Sequence, residues 1–268
     1  MKAIERVRQA QFAGMRDAEI KPLYLEQNTF DIGIDEPIYR IFQLKHLKAD
    51  ISRKTLTHIR VRPESWGSQY ENPLLSATFK DLQTGGNITL KNLLGDYYAL
   101  SWTKSANESR GAWSKFSHSK PAVRVESTPR LLLDHLMCVQ DQWFMLRHFV
   151  GLVLYEDKTT IDAWISDPDY SKHLDSLGHT LAQSLMLLPR DFKSEEEVRL
   201  LFTLLRNSPT KWLKNNVKCK DTTCQIPFEW CGAIKSIVFG PMINRDQEES
   251  FNRLLTKEGI QPARGGPI

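Results

Sequence analysis

Glu195, Glu196 and Glu197 stand in a row and run directly into Val198-Arg199-Leu200-Leu201-Phe202, an apolar segment holding one cation. Carboxylates at the lip of a core segment are costly to desolvate unless something pairs with them. On a strand, Glu195, Glu197 and Arg199 would share one face while Val198, Leu200 and Phe202 fill the other. Two carboxylates at i and i+2 against an apolar back can serve as acid and base, or steady a developing positive charge. The same residues also read as a helix start. Ser194-x-x-Glu197 is a capping box, and Val198, Leu201 and Leu205 follow at helical spacing. The carboxylates would then be first-turn residues favoured by the helix dipole. Pattern alone tilts slightly toward the helix.

Other chemistry-bearing residues are scattered along the chain. Arg40 sits within Pro37-Ile38-Tyr39-Arg40-Ile41-Phe42, where a guanidinium either finds an anion or snorkels from an edge strand. Tyr97-Tyr98-Ala99-Leu100-Ser101-Trp102-Thr103 reads as a strand ending in small hydroxyl residues, with Trp113 close behind. The turn-rich loop from Pro63 to Pro73 carries Trp66, Tyr70, Glu64 and Glu71; its aromatics either line a site or plug the core. Four cysteines, Cys138, Cys219, Cys224 and Cys231, are too few and too unevenly placed for a disulfide scaffold. Their spacing lacks the paired knuckle of a zinc site, so the reading is reduced thiols and no metal. No HExxH box and no phosphate-cradling glycine loop is present.

The elements that must position these groups belong to an ordinary globular composition. The chain has 268 residues, 41% hydrophobic and 25% charged, with a formal charge of +4. Lysine and arginine are interspersed with aspartate and glutamate, so nucleic acid is an open partner but not an indicated one. The N-terminal stretch lacks an apolar h-region, and no window reaches the roughly 18 apolar residues of a membrane span. The expectation is a soluble, cytoplasmic protein without a membrane partner.

The pattern predicts an N-terminal helical extension over residues 1–35, with a basic helix over 3–18. A single α+β domain over 36–260, with mixed or antiparallel sheets flanked by helices, and a flexible tail over 261–268 complete the expectation. Within the domain, strands are expected at 37–42, 57–62, 97–103, 122–126 and 234–241, and a long central one at 143–155. Helices are expected at 44–56, 128–139 (capped by Thr128 ahead of Pro129), 168–188 and 246–257. A turn is expected at 218–224.

Taken in order, several pieces resemble the bacterial domain-of-unknown-function 2971 family. They are Ile38-Tyr39-Arg40-Ile41, the loop Pro63 to Glu71, Trp113-Ser114-x-Phe116, Val123-Arg124-Val125, Val153-Leu154-Tyr155, Glu195-x-Glu197-Val198-Arg199 and Ile234-Lys235-Ser236-Ile237-Val238-x-Gly240-Pro241. The likeness spans roughly Glu36 to Ile260 and departs at Trp66–Glu71, where that family often reads Asn-Asp-Pro before the acid. A looser similarity is to the arginine–serine–glutamate ADP-ribosyltransferases, through Arg40, Ser101 with Thr103, and Glu195 with Glu197. That similarity implies a strand, not a helix, at Glu197, and NAD as substrate. It further implies that Glu197 stabilises the oxocarbenium ion, Glu195 activates an acceptor and Arg40 holds the pyrophosphate or a ribose. Ser101 would order the nicotinamide side, and Tyr98, Trp102 or Trp113 would stack on the ring.

Three functions follow. The first is an enzyme that transfers ADP-ribose to an unknown macromolecular acceptor or hydrolyses NAD, in the manner of a bacterial toxin or phage-defence effector. The second is a binding module on the same scaffold without catalysis. The third is a nucleic-acid-acting defence protein that stacks bases on tryptophan.

Overall fold

Glu197–Thr203 is a strand, buried along its whole length, and the molecule is built outward from it. The computed structural model describes residues 3–81, 84–106, 109–167, 169–205, 210–261 and 263–264. Eight strands of four or more residues make the main sheet among these: β1 (Ile38–Gln43), β2 (Thr55–Arg60), β3 (Tyr97–Thr103), β4 (Ala122–Ser127), β5 (His148–Leu152), β6 (Glu197–Thr203), β7 (Thr223–Pro227) and β8 (Ser236–Phe239). The spatial order is β5-β6-β3-β1-β4-β8, each neighbour antiparallel to the next. Short parallel additions at the two ends, Thr29–Phe30 beside β5 and Ala263–Arg264 beside β8, make the sheet mixed. The expected α+β architecture, a mixed sheet flanked by helices, is the one observed.

β6 is a strand because both its edges are taken. It pairs with β3 from Glu197↔Thr103 to Thr203↔Tyr97, and with β5 from Val198↔Leu152 to Phe202↔His148. Val198, Leu200 and Phe202 join Tyr98, Leu100 and Trp102 in the larger core; Leu201 joins Tyr97 and Ala99 on the opposite face. The capping box never forms, because Glu196 adopts a left-handed backbone (φ 43°) and turns the chain into the strand. Glu195 ends the preceding 3-10 turn, Arg190–Glu195. The expectation that Glu195 and Glu197 share one strand face is therefore corrected: the left-handed residue between them separates the two.

The larger core is closed by the helices Leu44–Arg53, Pro129–Leu136 and Arg245–Lys257, through Leu47, Ile51, Leu132, Leu133, Phe251 and Leu255. The N-terminal helices Ala3–Phe12 and Asp17–Gln27 bury Val7, Ala10, Ile20, Tyr24 and Leu25 in the same core. Thr128 caps Pro129–Leu136 as its sequence foretells, its hydroxyl accepting from the Leu131 amide at 3.2 Å.

Other expectations give way to tertiary contacts. The expected strand over 143–155 is a 3-10 turn (Phe144–Leu146), then β5, then Leu154–Glu156 in a separate two-stranded sheet with Leu187–Pro189. Arg147 stays out of the ladder because its guanidinium is fully buried against Asp141 and the Leu204 carbonyl. The expected helix over 168–188 breaks into a 3-10 turn (Tyr170–His173), a helix (His179–Ser184) and that short strand; position 168 lies outside the described residues. Gly178, left-handed at φ 73°, stands before the helix instead of within it. Residues 218–224 form a hairpin whose register sets Cys219 opposite Cys224, and the two are joined by a disulfide. The expectation of reduced thiols is corrected for that pair; Cys138 and Cys231 are free. Of the tail over 261–268, positions 262 and 265–268 lie outside the described residues.

Candidate active site

The sheet forks along one edge of β3. β2 pairs with it at Ile59↔Ala99 and Arg60↔Tyr98, while β1 pairs with it at Tyr39↔Thr103 alone. Between those contacts, Leu100, Ser101 and Trp102 have no strand opposite them on that side. Backbone carbonyls left open by such a split need another donor. Arg40 on β1 supplies one: its Nη1 donates to the Ser101 carbonyl across the fork.

A cleft of about 670 Å³ opens at this fork, within the range of small-molecule sites. β1 contributes Tyr39, Arg40 and Ile41, and β3 contributes Ala99 to Thr103. Lys115, Phe116 and Gly111 approach from the helix Arg110–Ser117, Trp66 from the loop after β2, and Glu195 from the turn before β6. Among the described residues its charged lining is Arg40, Arg124 and Lys115 together with the carboxylate of Glu195.

Arg40 is the most telling of these groups. Its side chain is half-buried with its Nε shut off from water, and that burial pushes its pKa down to about 10 although Glu197 and Asp50 oppose the shift. Among the described residues no carboxylate stands within ion-pair distance of it, and its Nε is buried without a hydrogen-bond partner. Arg124 packs its guanidinium 4.9 Å from the Tyr39 ring centre, and Lys115 meets Glu195 at 2.8 Å.

Glu195 is held by its backbone as well. The Thr103 hydroxyl donates to the Glu195 carbonyl at 2.7 Å and accepts from the Ser105 amide at 3.0 Å. The Lys104 amide donates to the Glu196 carbonyl at 3.0 Å. Thr103 thus fixes the turn that carries Glu195, the less buried of the two acids.

Glu197 lies one layer below. Only 3% of the residue is exposed, and it receives the Arg199 guanidinium on both oxygens at 2.9 and 3.3 Å. Arg199 also donates to Glu71 at 2.6 Å and to the Leu185 carbonyl at 2.6 Å. Burial works against the Arg199 charge, yet Glu197 and Glu71 outweigh it and hold its pKa above the ordinary value. Burial pushes the Glu71 pKa up, with Arg199 only partly offsetting it. The Tyr155 hydroxyl accepts from the Glu197 amide at 2.9 Å, and burial raises that phenol to about 12.

The residues singled out in the sequence therefore separate into two groups. Arg40, Ser101, Thr103 and Glu195 meet at the cleft, and Trp102 borders it with its ring packed edge-on against Phe42. Tyr98 and Glu197 are buried behind the cleft wall, and Trp113 is buried on the other side of its helix against Gly240. Trp66, Lys115 and Arg124 were not selected from the sequence as site residues. Trp66 carried a signal, an aromatic in a turn-rich loop; Lys115 and Arg124 resemble any surface or strand cation until the fold gathers them.

No family model matches the chain, and no curated protein matches it. Among solved structures, the chain is similar to Thermus sp. 2.9 DarT in complex with ADP-ribosylated ssDNA, at 12% identity and a TM-score of 0.36, over 88% of this chain and 95% of that one. It is likewise similar to the same DarT in complex with NAD+, at 12% identity and a TM-score of 0.34, over 87% and 95%.

Proposed function

We propose that the cleft binds NAD and that the protein transfers its ADP-ribose to a macromolecular acceptor or to water. The observation that supports this most is Arg40, a half-buried cation on the wall of a nucleotide-sized cleft, with no carboxylate of the described residues within ion-pair distance. Such a group is best satisfied by an anion that arrives from solution. A guanidinium offers forked donors that match a pyrophosphate, and Lys115 and Arg124 add to the same field.

The chemistry needs one negative group among these cations, and among the described residues Glu195 is the carboxylate lining the cleft. As the glycosidic C–N bond breaks, nicotinamide leaves with the bonding electron pair and positive charge grows on the ribose. Glu195 stabilises that charge. The acceptor oxygen or nitrogen, or water, then bonds to the anomeric carbon and gives up its proton to Glu195. Ser101 orders the wall beside the reacting ribose. Glu197 acts from below, its charge felt by both Arg40 and Arg199. This assignment exchanges the emphasis that the transferase resemblance puts on Glu197.

Purified protein incubated with NAD is expected to release nicotinamide, measured by chromatography. Glu195→Gln and Arg40→Ala are expected to remove most of that release while leaving circular dichroism unchanged. A second reading rests on the Lys115–Glu195 ion pair, which already neutralises Glu195: NAD binds, and nothing turns over. Calorimetric binding of NAD without nicotinamide release would favour that reading, and no binding would end both.

A further inference from the structure

Trp66 is built into the cleft more firmly than a loop tryptophan needs to be. It ends the short helix Pro63–Trp66, which Gly67 stops in a left-handed turn (φ 82°). Its Nε1 donates to the Arg60 carbonyl at 3.0 Å, which fixes the indole in its own plane. Beneath it lies the Arg199 guanidinium, 5.0 Å from the ring centre. Arg199 is itself immobile, with donors taken up by Glu197, Glu71 and the Leu185 carbonyl. An exposed aromatic gains about 0.5–1 kcal/mol from a cation at its face, and more when the pair is desolvated. Two carboxylates buried for the sake of one arginine are a costly arrangement, often no more stable than apolar residues of the same volume. The arrangement is therefore better explained by what it orients than by what it stabilises.

We infer that Trp66 is the platform on which a planar ring of the ligand stacks, and that Glu71 and Arg199 are positioning residues that hold the indole from behind. The inference rests on the NAD reading and adds to it the recognition of a heteroaromatic ring by its face. Both rings of NAD have that chemistry. ADP-ribose carries the adenine without the nicotinamide, and nicotinamide mononucleotide carries the reverse.

Binding of NAD, ADP-ribose and nicotinamide mononucleotide to the full chain is measured by calorimetry for the wild type, Trp66→Phe, Trp66→Leu and Glu71→Gln. Trp66→Phe is expected to retain most of the affinity, because a ring remains. Trp66→Leu keeps apolar bulk for the fold and is expected to weaken NAD roughly tenfold or more, as loss of an aromatic stacking partner does. The fragment that weakens in parallel identifies the stacked ring. Glu71→Gln touches no ligand and is expected to raise KM for NAD while kcat holds, a split that a merely structural role would not produce. Wild-type affinity for all three ligands in folded Trp66→Leu would overturn the platform and leave the NAD reading standing. Failure of the wild type to bind any of them would remove the reading and the platform together.

Discussion

The Arg40 guanidinium donates to the Ser101 carbonyl across the gap where β1 and β2 part along β3. One side chain thereby takes up a hydrogen-bond acceptor that the parted strands leave open, and its buried Nε has no partner among the described residues. On the proposal that Arg40 holds a phosphate, Arg40→Lys separates charge from geometry. Lysine keeps the cation but not the fork. Loss of a charge-assisted hydrogen bond costs roughly 1.5–3 kcal/mol, so NAD affinity is expected to fall about tenfold or more with little change in thermal midpoint. Unchanged calorimetric affinity would argue against phosphate contact.

The triad Glu71–Arg199–Glu197 makes a stability prediction with a clear sign. Arg199→Met leaves two carboxylates buried without their cation, which costs about 3–5 kcal/mol. A urea midpoint close to that of the wild type would mean that water reaches the pair.

Acid should destabilise the fold through two histidines before most carboxylates titrate. His58 and His148 are buried as neutral rings beside Phe202. Burial depresses His58 to about 3 and His148 well below the ordinary value. The unfolded chain takes up a proton on each near 6.5 and the folded chain does not. Stability is therefore whole above about pH 7 and falls as pH drops from about 6.5 toward 3, by up to ~1.4 kcal/mol per pH unit for each histidine. Urea midpoints between pH 7.5 and 4.5 read the slope, and His58→Asn should reduce it by about one proton.

Gly240 is a packing requirement. A Cβ there would stand 2.8 Å from the Ala122 carbonyl oxygen and 2.8 Å from the Trp113 ring, neither of which can swing away. Gly240→Ala is expected to cost about 1–3 kcal/mol by overpacking. Gly111→Ala, whose Cβ meets the Ser109 hydroxyl at 3.8 Å and nothing closer among the described residues, should leave the melting temperature unchanged or slightly higher.

The disulfide is open to a chemical test. Cys219 and Cys224 should resist alkylation until reduced, while exposed Cys231 reacts at once. Closing so short a loop contributes about 2 kcal/mol in the chain-entropy picture, so reduction should lower the denaturation midpoint by a corresponding amount.

Local pattern carried a good deal of this protein. Tyr97–Thr103 is a strand over the span read from the sequence, Thr128 and Pro129 start their helix, and the last helix falls where 246–257 was expected. These features depend on neighbours within a turn or two, so they can be read from the sequence alone. Glu195–Phe202 could not be settled that way, because its apolar residues fit a period of two and a period near four alike. Only β3 and β5, contributed by distant parts of the chain, decided for a strand. The same holds for the cleft. Arg40, Ser101 and Glu195 were visible as residue types, but the offset that sends β1 and β2 to different ends of β3 is a property of long-range pairing. That offset opens the cleft, brings Lys115 and Arg124 to it, and places Glu195 at its surface with Glu197 beneath.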